Sequence, residues 1–164
     1  MTRTPVPENI RLRPMQESDL PGVHGLEAMS EPVPWPRWLF RRQLRQGASC
    51  WVLEADGAIA GFGILAVNRN RAHIMNMCVA PRYRRRGLGR RILLHLLDVA
   101  RHRHCRQAWL EVRRTNQPAM VLYRKLGFRS RRIRKGYYPT RRGRVNGALM
   151  VRPLRSPAAR ISSL

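Results

Sequence analysis

Acidic residues are scarce in this chain. Nine Asp and Glu stand against 33 Lys and Arg in 164 residues, a formal charge of +24. Lysine is nearly missing as well, being confined to Lys125 and Lys135. The shortage of acids is also lopsided. Residues 1–81 carry nine arginines against seven acids, a net of +2, whereas residues 82–164 carry 22 arginines and two lysines against only Asp98 and Glu111, a net of +22. Genome composition can favour arginine over lysine, but it does not explain the missing acids. A field of this size draws polyanions and anionic ligands and is poorly suited to polycationic substrates. Cysteine is limited to Cys50, Cys78 and Cys105, an odd and widely spaced set that speaks against a disulfide framework and fits buried thiols in a reducing cytoplasm. The five histidines show no spacing that joins them to other metal ligands, so no metal is expected. No apolar run is long enough to cross a bilayer, and no signal peptide is visible, so a cytoplasmic location is expected.

What is present fits one domain with an ordinary core: 43% of the residues are hydrophobic, enough at this length to fold without metal or disulfide staples. Residues 1–8 are expected to fray, 9–151 to form the domain, and 152–164 to be a basic, mobile tail. Asn9–Arg13 reads as a first strand. A helix enters after Glu17-Ser18-Asp19, a proline-broken loop covers Glu31–Pro36, and a second helix covers Arg37–Gln46. Ser49–Ala55 and Ala58–Val67 flank Asp56-Gly57, a strong hairpin signal. Gly61 and Gly63, inside the second of these strands, would permit a close approach or a bulge. Val145–Val151 reads as the last strand. Hairpins mixed with crossover helices indicate an α/β or α+β domain around one mixed sheet.

The most informative stretch lies between residues 72 and 128. A strand over Ala72–Val79 breaks at Pro81, and Arg84-Arg85-Arg86 leads into Gly87-Leu88-Gly89. A helix follows with Leu88, Ile92, Leu93, Leu96, Leu97 and Ala100 on one face. Glycine lets backbone approach a ligand, and the first amides of a helix have no internal partner, so such a turn can hold an anion. It lacks the Gly-Lys-Ser/Thr ending of a P-loop and the third glycine of a dinucleotide fingerprint. Gln107–Arg113 then alternates as a half-buried strand, with Trp109, Glu111 and Arg113 on one face. Asn116 is a good helix N-cap, Pro118 is tolerated in the first turn, and Gly127 is placed to end that helix in a left-handed conformation.

Arg84-x-x-Gly87-x-Gly89 resembles the acetyl-CoA pyrophosphate signature of the GNAT N-acetyltransferases. Asn116-x-x-Ala119-x-x-Leu122-Tyr123-x-x-x-Gly127-Phe128 resembles the second signature of that superfamily. Within it, Pro34-Trp35, Trp109-Leu110-Glu111-Val112-Arg113 and Tyr137-Tyr138-Pro139-Thr140 ahead of Gly143 are similar to the bacterial ribosomal-protein-alanine N-acetyltransferases. The likeness covers roughly Ile10 to Val151. It implies a GNAT fold, a single mixed sheet flanked by helices, bent and splayed between the strands near 77 and 109, with the pantetheine arm in the gap. It also implies transfer of acetyl from acetyl-CoA to a protein N-terminal α-amine. One departure is visible: where those enzymes usually carry a Glu-Asp pair before the last strand, this chain has Val145-Asn146-Gly147.

Acyl transfer from a thioester to an amine needs a base, a stabilised oxyanion and an acid for the leaving thiolate. An α-amine (pKa near ~8) needs less help than a lysine amine (near ~10.4). Glu111 is the candidate base, since the family places its base there; a structural ion pair with a neighbouring arginine is the alternative. Tyr123 is the candidate acid, and a core tyrosine is its alternative. By the same resemblance the backbone of Met77, Cys78 and Val79 would pair with pantetheine. The turn from Arg84, Arg85, Arg86, Gly87, Leu88 and Gly89 to Arg90 would hold the pyrophosphate, with the side chains of Arg84, Arg85, Arg90 and Arg124 within possible reach of phosphates. Asn116 would reach the pantetheine arm, and Trp35 and Tyr138 would line the acceptor cleft. Three alternatives stay open: acetylation of a lysine side chain, acetylation of a small-molecule amine, or a ribosome- or RNA-associated module with a degenerate transferase fold. The basic half suggests contact with RNA or the ribosome.

Overall fold

The computed structural model describes residues 7–155. Seven strands, β1 (Ile10–Pro14), β2 (Ser49–Ala55), β3 (Ala58–Asn68), β4 (Arg71–Val79), β5 (Gln107–Arg113), β6 (Arg129–Thr140) and β7 (Gly143–Pro153), form one mixed sheet in the order β1-β2-β3-β4-β5-β7-β6. Four helices accompany them: α1 (Leu20–Ser30), α2 (Arg37–Arg45), α3 (Leu88–His102) and α4 (Gln117–Lys125). None of the described helices is long and apolar enough to cross a membrane. The parallel β4–β5 ladder covers only Arg71–His73 against Gln107–Trp109. It ends at Trp109 and at His73, four residues earlier on β4 than the position near 77 that the family resemblance implied. β7 runs on to Pro153, taking in two residues assigned to the tail, and Leu154 is buried with its amide donating to the Arg106 carbonyl at 2.8 Å. The expectations for residues 1–6 and 156–164 lie outside the described residues.

The chain divides into two compact units, one of residues 7–64 with 76–95 and the other of 65–75 with 96–155. In the first, Asp56 and Gly57 both take positive φ (51° and 81°), the conformation a two-residue hairpin turn requires, and join β2 to β3. Leu20, Val23, Leu26, Phe40, Leu53, Phe62, Ile92 and Leu93 are buried, and Phe40 meets Phe62 edge-on at 5.5 Å. Gly61 is needed for space: a Cβ there would lie 2.8 Å from the Cys78 carbonyl oxygen. In the second unit Leu96, Leu97, Ala100, Leu110, Val112, Met120, Phe128, Ala148 and Met150 form the core. All six apolar positions read from the sequence of α3 are buried. Burial of a large aliphatic side chain contributes about 2 kcal/mol.

Two acids of the first half share one arginine. Arg13 grips Asp19 with both terminal nitrogens (2.7 and 2.8 Å) and donates through Nε to Glu54 at 2.7 Å. Asp19 is almost fully buried, and the Arg13 guanidinium holds its carboxyl below the usual carboxylate range. Asp19→Asn is expected to cost about 2 kcal/mol at neutral pH, because the two charge-assisted hydrogen bonds from Arg13 are weakened while the half-buried guanidinium keeps Glu54. A carboxyl whose pKa is lower in the folded chain stabilises it fully above the unfolded value and loses that contribution as pH falls through the folded value. In urea unfolding, the difference between wild type and variant should therefore shrink in that acid window. A difference that stayed constant into strong acid would assign the effect to packing instead.

Candidate active site

In the first unit, β4 ends at Val79 and a 3-10 turn over Pro81–Tyr83 follows, with the Ala80 amide bonded to the Ala60 carbonyl at 2.7 Å. Arg85 and Gly87 both take left-handed backbone (φ 61° and 74°). A Cβ at Gly87 would meet nothing, so glycine serves there for its backbone angle and not for space. The first hydrogen bond of α3 runs from the Arg91 amide to the Gly87 carbonyl at 3.1 Å. The amides of Leu88, Gly89 and Arg90 therefore have no partner inside the helix and sit at its positive end. Buried Leu88 anchors this start, and the exposed side chains of Arg85 and Arg90 leave it cationic. Such a turn fits a pyrophosphate.

Arg84 behaves differently from the phosphate ligand that its place in the motif suggests. Its Nε donates to the Val79 carbonyl at 3.1 Å and its Nη2 reaches Ser30 Oγ at 3.4 Å, so the side chain braces the turn from below. Met77, Cys78 and Val79 are half-buried on β4, and the Cys78 thiol sits 3.1 Å from Ser30 Oγ. Burial pushes the Cys50 and Cys78 thiols up to about 11, which makes both poor nucleophiles. Trp35 lies half-buried in the loop before α2, its ring 5.3 Å from Phe40. The Trp35 amide donates to Glu27 Oε1 at 3.2 Å. Glu27 is 2% exposed, and burial raises its pKa against the pull of this amide and of Asn76. The Asn76 amide is near enough to matter electrostatically but not well aligned, since Glu27 Oε2 and Asn76 Nδ2 both lack a hydrogen-bond partner.

The second unit holds Glu111, and the alternation of β5 decides its setting. Leu110 and Val112 enter the core, while Trp109, Glu111 and Arg113 stand half-buried on the opposite face. His73 stacks on Trp109 at 3.7 Å and 5° between planes, and burial lowers its pKa against the opposing pull of Glu111. Across the sheet Glu111 faces Leu149, and Arg134 of β6 faces Gly147. Arg134 Nη2 lies 3.3 Å from Glu111 Oε1. The Tyr137 phenol donates to the same carboxylate, and chiefly for that reason its own pKa is raised. Glu111 is thus ion-paired as well as partly buried, its side chain 14% exposed.

Tyr138 completes the aromatic edge. The Arg113 guanidinium lies 4.7 Å from its ring centroid and donates to the Pro139 carbonyl at 3.0 Å. The departure noted at residues 145–147 has a structural use: a Cβ on Gly147 would fall 2.8 Å from the Tyr138 ring, and Asn146 Oδ1 accepts from the Gly136 amide at 2.9 Å. On α4, Asn116 caps the helix by accepting from the Ala119 amide at 3.3 Å. Tyr123 is buried beside Phe128, with ring centroids 5.9 Å apart, and Gly127 ends the helix at φ 91°. Glu111, Tyr123, Asn116 and Tyr138 therefore belong to the second unit, the glycine turn and Trp35 to the first. Sequence reasoning missed the roles of Arg134 and Tyr137 at Glu111 and of Glu27 at Trp35.

Residues 11–128 match the acetyltransferase (GNAT) family. The chain is 36% identical over 140 residues to the [ribosomal protein bS18]-alanine N-acetyltransferase of Escherichia coli K12, an alignment covering 85% of this chain and 95% of that protein. It is 33% identical over 129 residues to a putative enzyme of the same description from Bacillus subtilis, covering 77% and 85%. The crystal structure of the ribosomal-protein-S18-alanine N-acetyltransferase from Escherichia coli superposes with a TM-score of 0.84 at 34% identity, covering 89% of this chain and 94% of that one. The chain belongs to the GNAT family and is an N-acetyltransferase whose acyl donor is acetyl-CoA.

Proposed function

We propose that this enzyme acts in the cytoplasm on the α-amino group of a ribosomal protein, an N-terminal alanine as in bS18. The observation that carries the reading is the setting of Glu111, a lone carboxylate held by Tyr137 and Arg134 in a half-buried site. A base held by an ion pair suits an α-amine, whose pKa of ~8 leaves a good fraction already neutral, better than a lysine amine near ~10.4. The amides of Leu88, Gly89 and Arg90, with Arg85 and Arg90 beside them, hold the donor's pyrophosphate, while Arg84 supports the turn. The edge of β4 at Met77–Val79 pairs with the pantetheine amides as a strand would, and Asn116 adds a hydrogen bond.

Glu111 accepts the proton of the attacking amine, directly or through one water. The amine nitrogen forms the new C–N bond as the C–S bond breaks, and Tyr123 supplies a proton to the departing thiolate. Tyr137 orients Glu111, and Trp35 and Tyr138 contact the acceptor peptide. Attack is direct, in a ternary complex without an acyl-enzyme, a reading supported by the burial that raises the Cys50 and Cys78 thiols and leaves them poor nucleophiles. The test is acetyl transfer from labelled acetyl-CoA to a bS18 N-terminal peptide, the same peptide with a blocked terminus, a lysine peptide and a polyamine. Label is expected only on the free N-terminal alanine. Preferred labelling of lysine or polyamine would replace this reading with one of the other amine acceptors. No transfer to any acceptor, with acetyl-CoA still bound, would favour a degenerate transferase.

A further inference from the structure

The charge of the second unit divides into arginines that the fold uses and arginines that it does not. Both acids after residue 82 are committed, Asp98 to Arg101 at 3.3 Å and Glu111 to Arg134 at 3.3 Å. Several arginines serve backbone carbonyls. Arg129 Nη1 caps the end of α4 at Arg124 and Phe128 (3.0 and 2.9 Å), Arg144 holds Gly136 and Tyr137, and Arg113 holds Pro139. Lys125, Arg131 and Arg132 are different: they are exposed and have no ion pair or side-chain hydrogen bond among the described residues. They are also grouped. β6 is the outermost strand of the sheet, so among the described residues no strand pairs with its outer edge, and a register shift between Ser130 and Arg132 sets Arg131 outside the regular ladder. Lys125, with Arg124, Arg129 and Ser130, lines a hollow of about 580 Å³ where α4 passes into β6.

We propose that this edge, Lys125 with Arg131 and Arg132, is a docking surface for RNA, engaged through the phosphate backbone without base readout. No acid of this unit remains to neutralise these charges, since Asp98 and Glu111 are both paired. Guanidinium groups pair with phosphate oxygens in bidentate fashion. The bland use of such charges is to keep an open strand edge from pairing with another chain, and the experiment separates the two.

Binding of a fluorescein-labelled, mixed-sequence single-stranded RNA is measured by anisotropy across a salt series. The proteins are wild type, Lys125→Gln/Arg131→Gln/Arg132→Gln, and a control in which exposed Arg103, Arg106 and Arg155 become Gln. Acetyl-CoA binding confirms that each protein is folded. The edge variant is expected to bind RNA roughly tenfold or more weakly, with the slope of log K against log salt reduced by about 2, since each lost phosphate contact removes ~0.7 for a single strand. Acetylation of a free peptide should be unchanged. Equal affinity and slope for wild type and edge variant would overturn the proposal. An equal loss in the control would also overturn it, by making the attraction diffuse. The outcome is independent of the acceptor assignment, because a failed peptide assay leaves the RNA curves unaffected.

Discussion

Glu111→Gln is expected to lower kcat by roughly 10²–10⁴-fold while acetyl-CoA affinity stays within a few-fold, because the change removes a proton acceptor and keeps the shape of the side chain. Tyr123→Phe should produce a loss of similar size, in the step in which the thiolate departs. Tyr137→Phe is informative beside them. The phenol donates to Glu111, and the Arg134 guanidinium that pairs with the same carboxylate lies 5.1 Å from the Tyr137 ring centroid. Its loss should cost less than that of Glu111 itself, since the carboxylate stays in place and keeps Arg134 while losing one orienting donor. Steady-state kinetics with the bS18 peptide across pH 6–9, with calorimetry of acetyl-CoA, separates these effects. A Glu111→Gln enzyme that turned over at the wild-type rate throughout would leave Glu111 as the structural partner of Arg134 and move the base role elsewhere.

That last outcome has physical weight because the sequence alone left both readings of Glu111 open. The alternation of β5 was enough to place Glu111 on the half-buried face beside Trp109, and periodicity was enough to place all six buried positions of α3. Asn116 and Gly127 were recognisable as helix ends because capping and left-handed turns have local chemical signatures. The partners of Glu111 had no such signature. Arg134 is one of 22 arginines in the second half, and what selects it is the pairing of β6 with β7. That register shifts twice, between Ser130 and Arg132 and between Arg134 and Tyr138. Each shift changes which face a side chain takes, so the approach of Arg134 and Tyr137 to a carboxylate on β5 is set by long-range pairing. The same limit applies to Arg84. Its position in the motif suggests a phosphate ligand, yet its side chain reaches the Val79 carbonyl and Ser30, a residue 54 positions earlier.

Gly89→Asp should weaken acetyl-CoA binding by roughly 100-fold or more, a loss of about 2.7 kcal/mol. Gly89 lies in the first turn of α3, where its amide is one of three with no partner inside the helix. An aspartate there brings both side-chain bulk and a negative charge to the place the pyrophosphate would occupy. For the helix by itself the substitution is favourable: a carboxylate in the first turn complements the helix dipole, and glycine is the poorer helix former. Folding and binding should therefore move in opposite directions, with the melting temperature equal to or above that of wild type while calorimetry shows the loss of ligand. Gly89→Ala supplies the bulk without the charge and should fall between the two. Gly87→Ala tests a different property, because φ 74° at that position penalises any side chain although the space is open. It should lower stability by about 1 kcal/mol and disturb the turn. Wild-type affinity in the Gly89→Asp protein would detach the glycine turn from the donor, and the arginines around it would then need another anion to explain them.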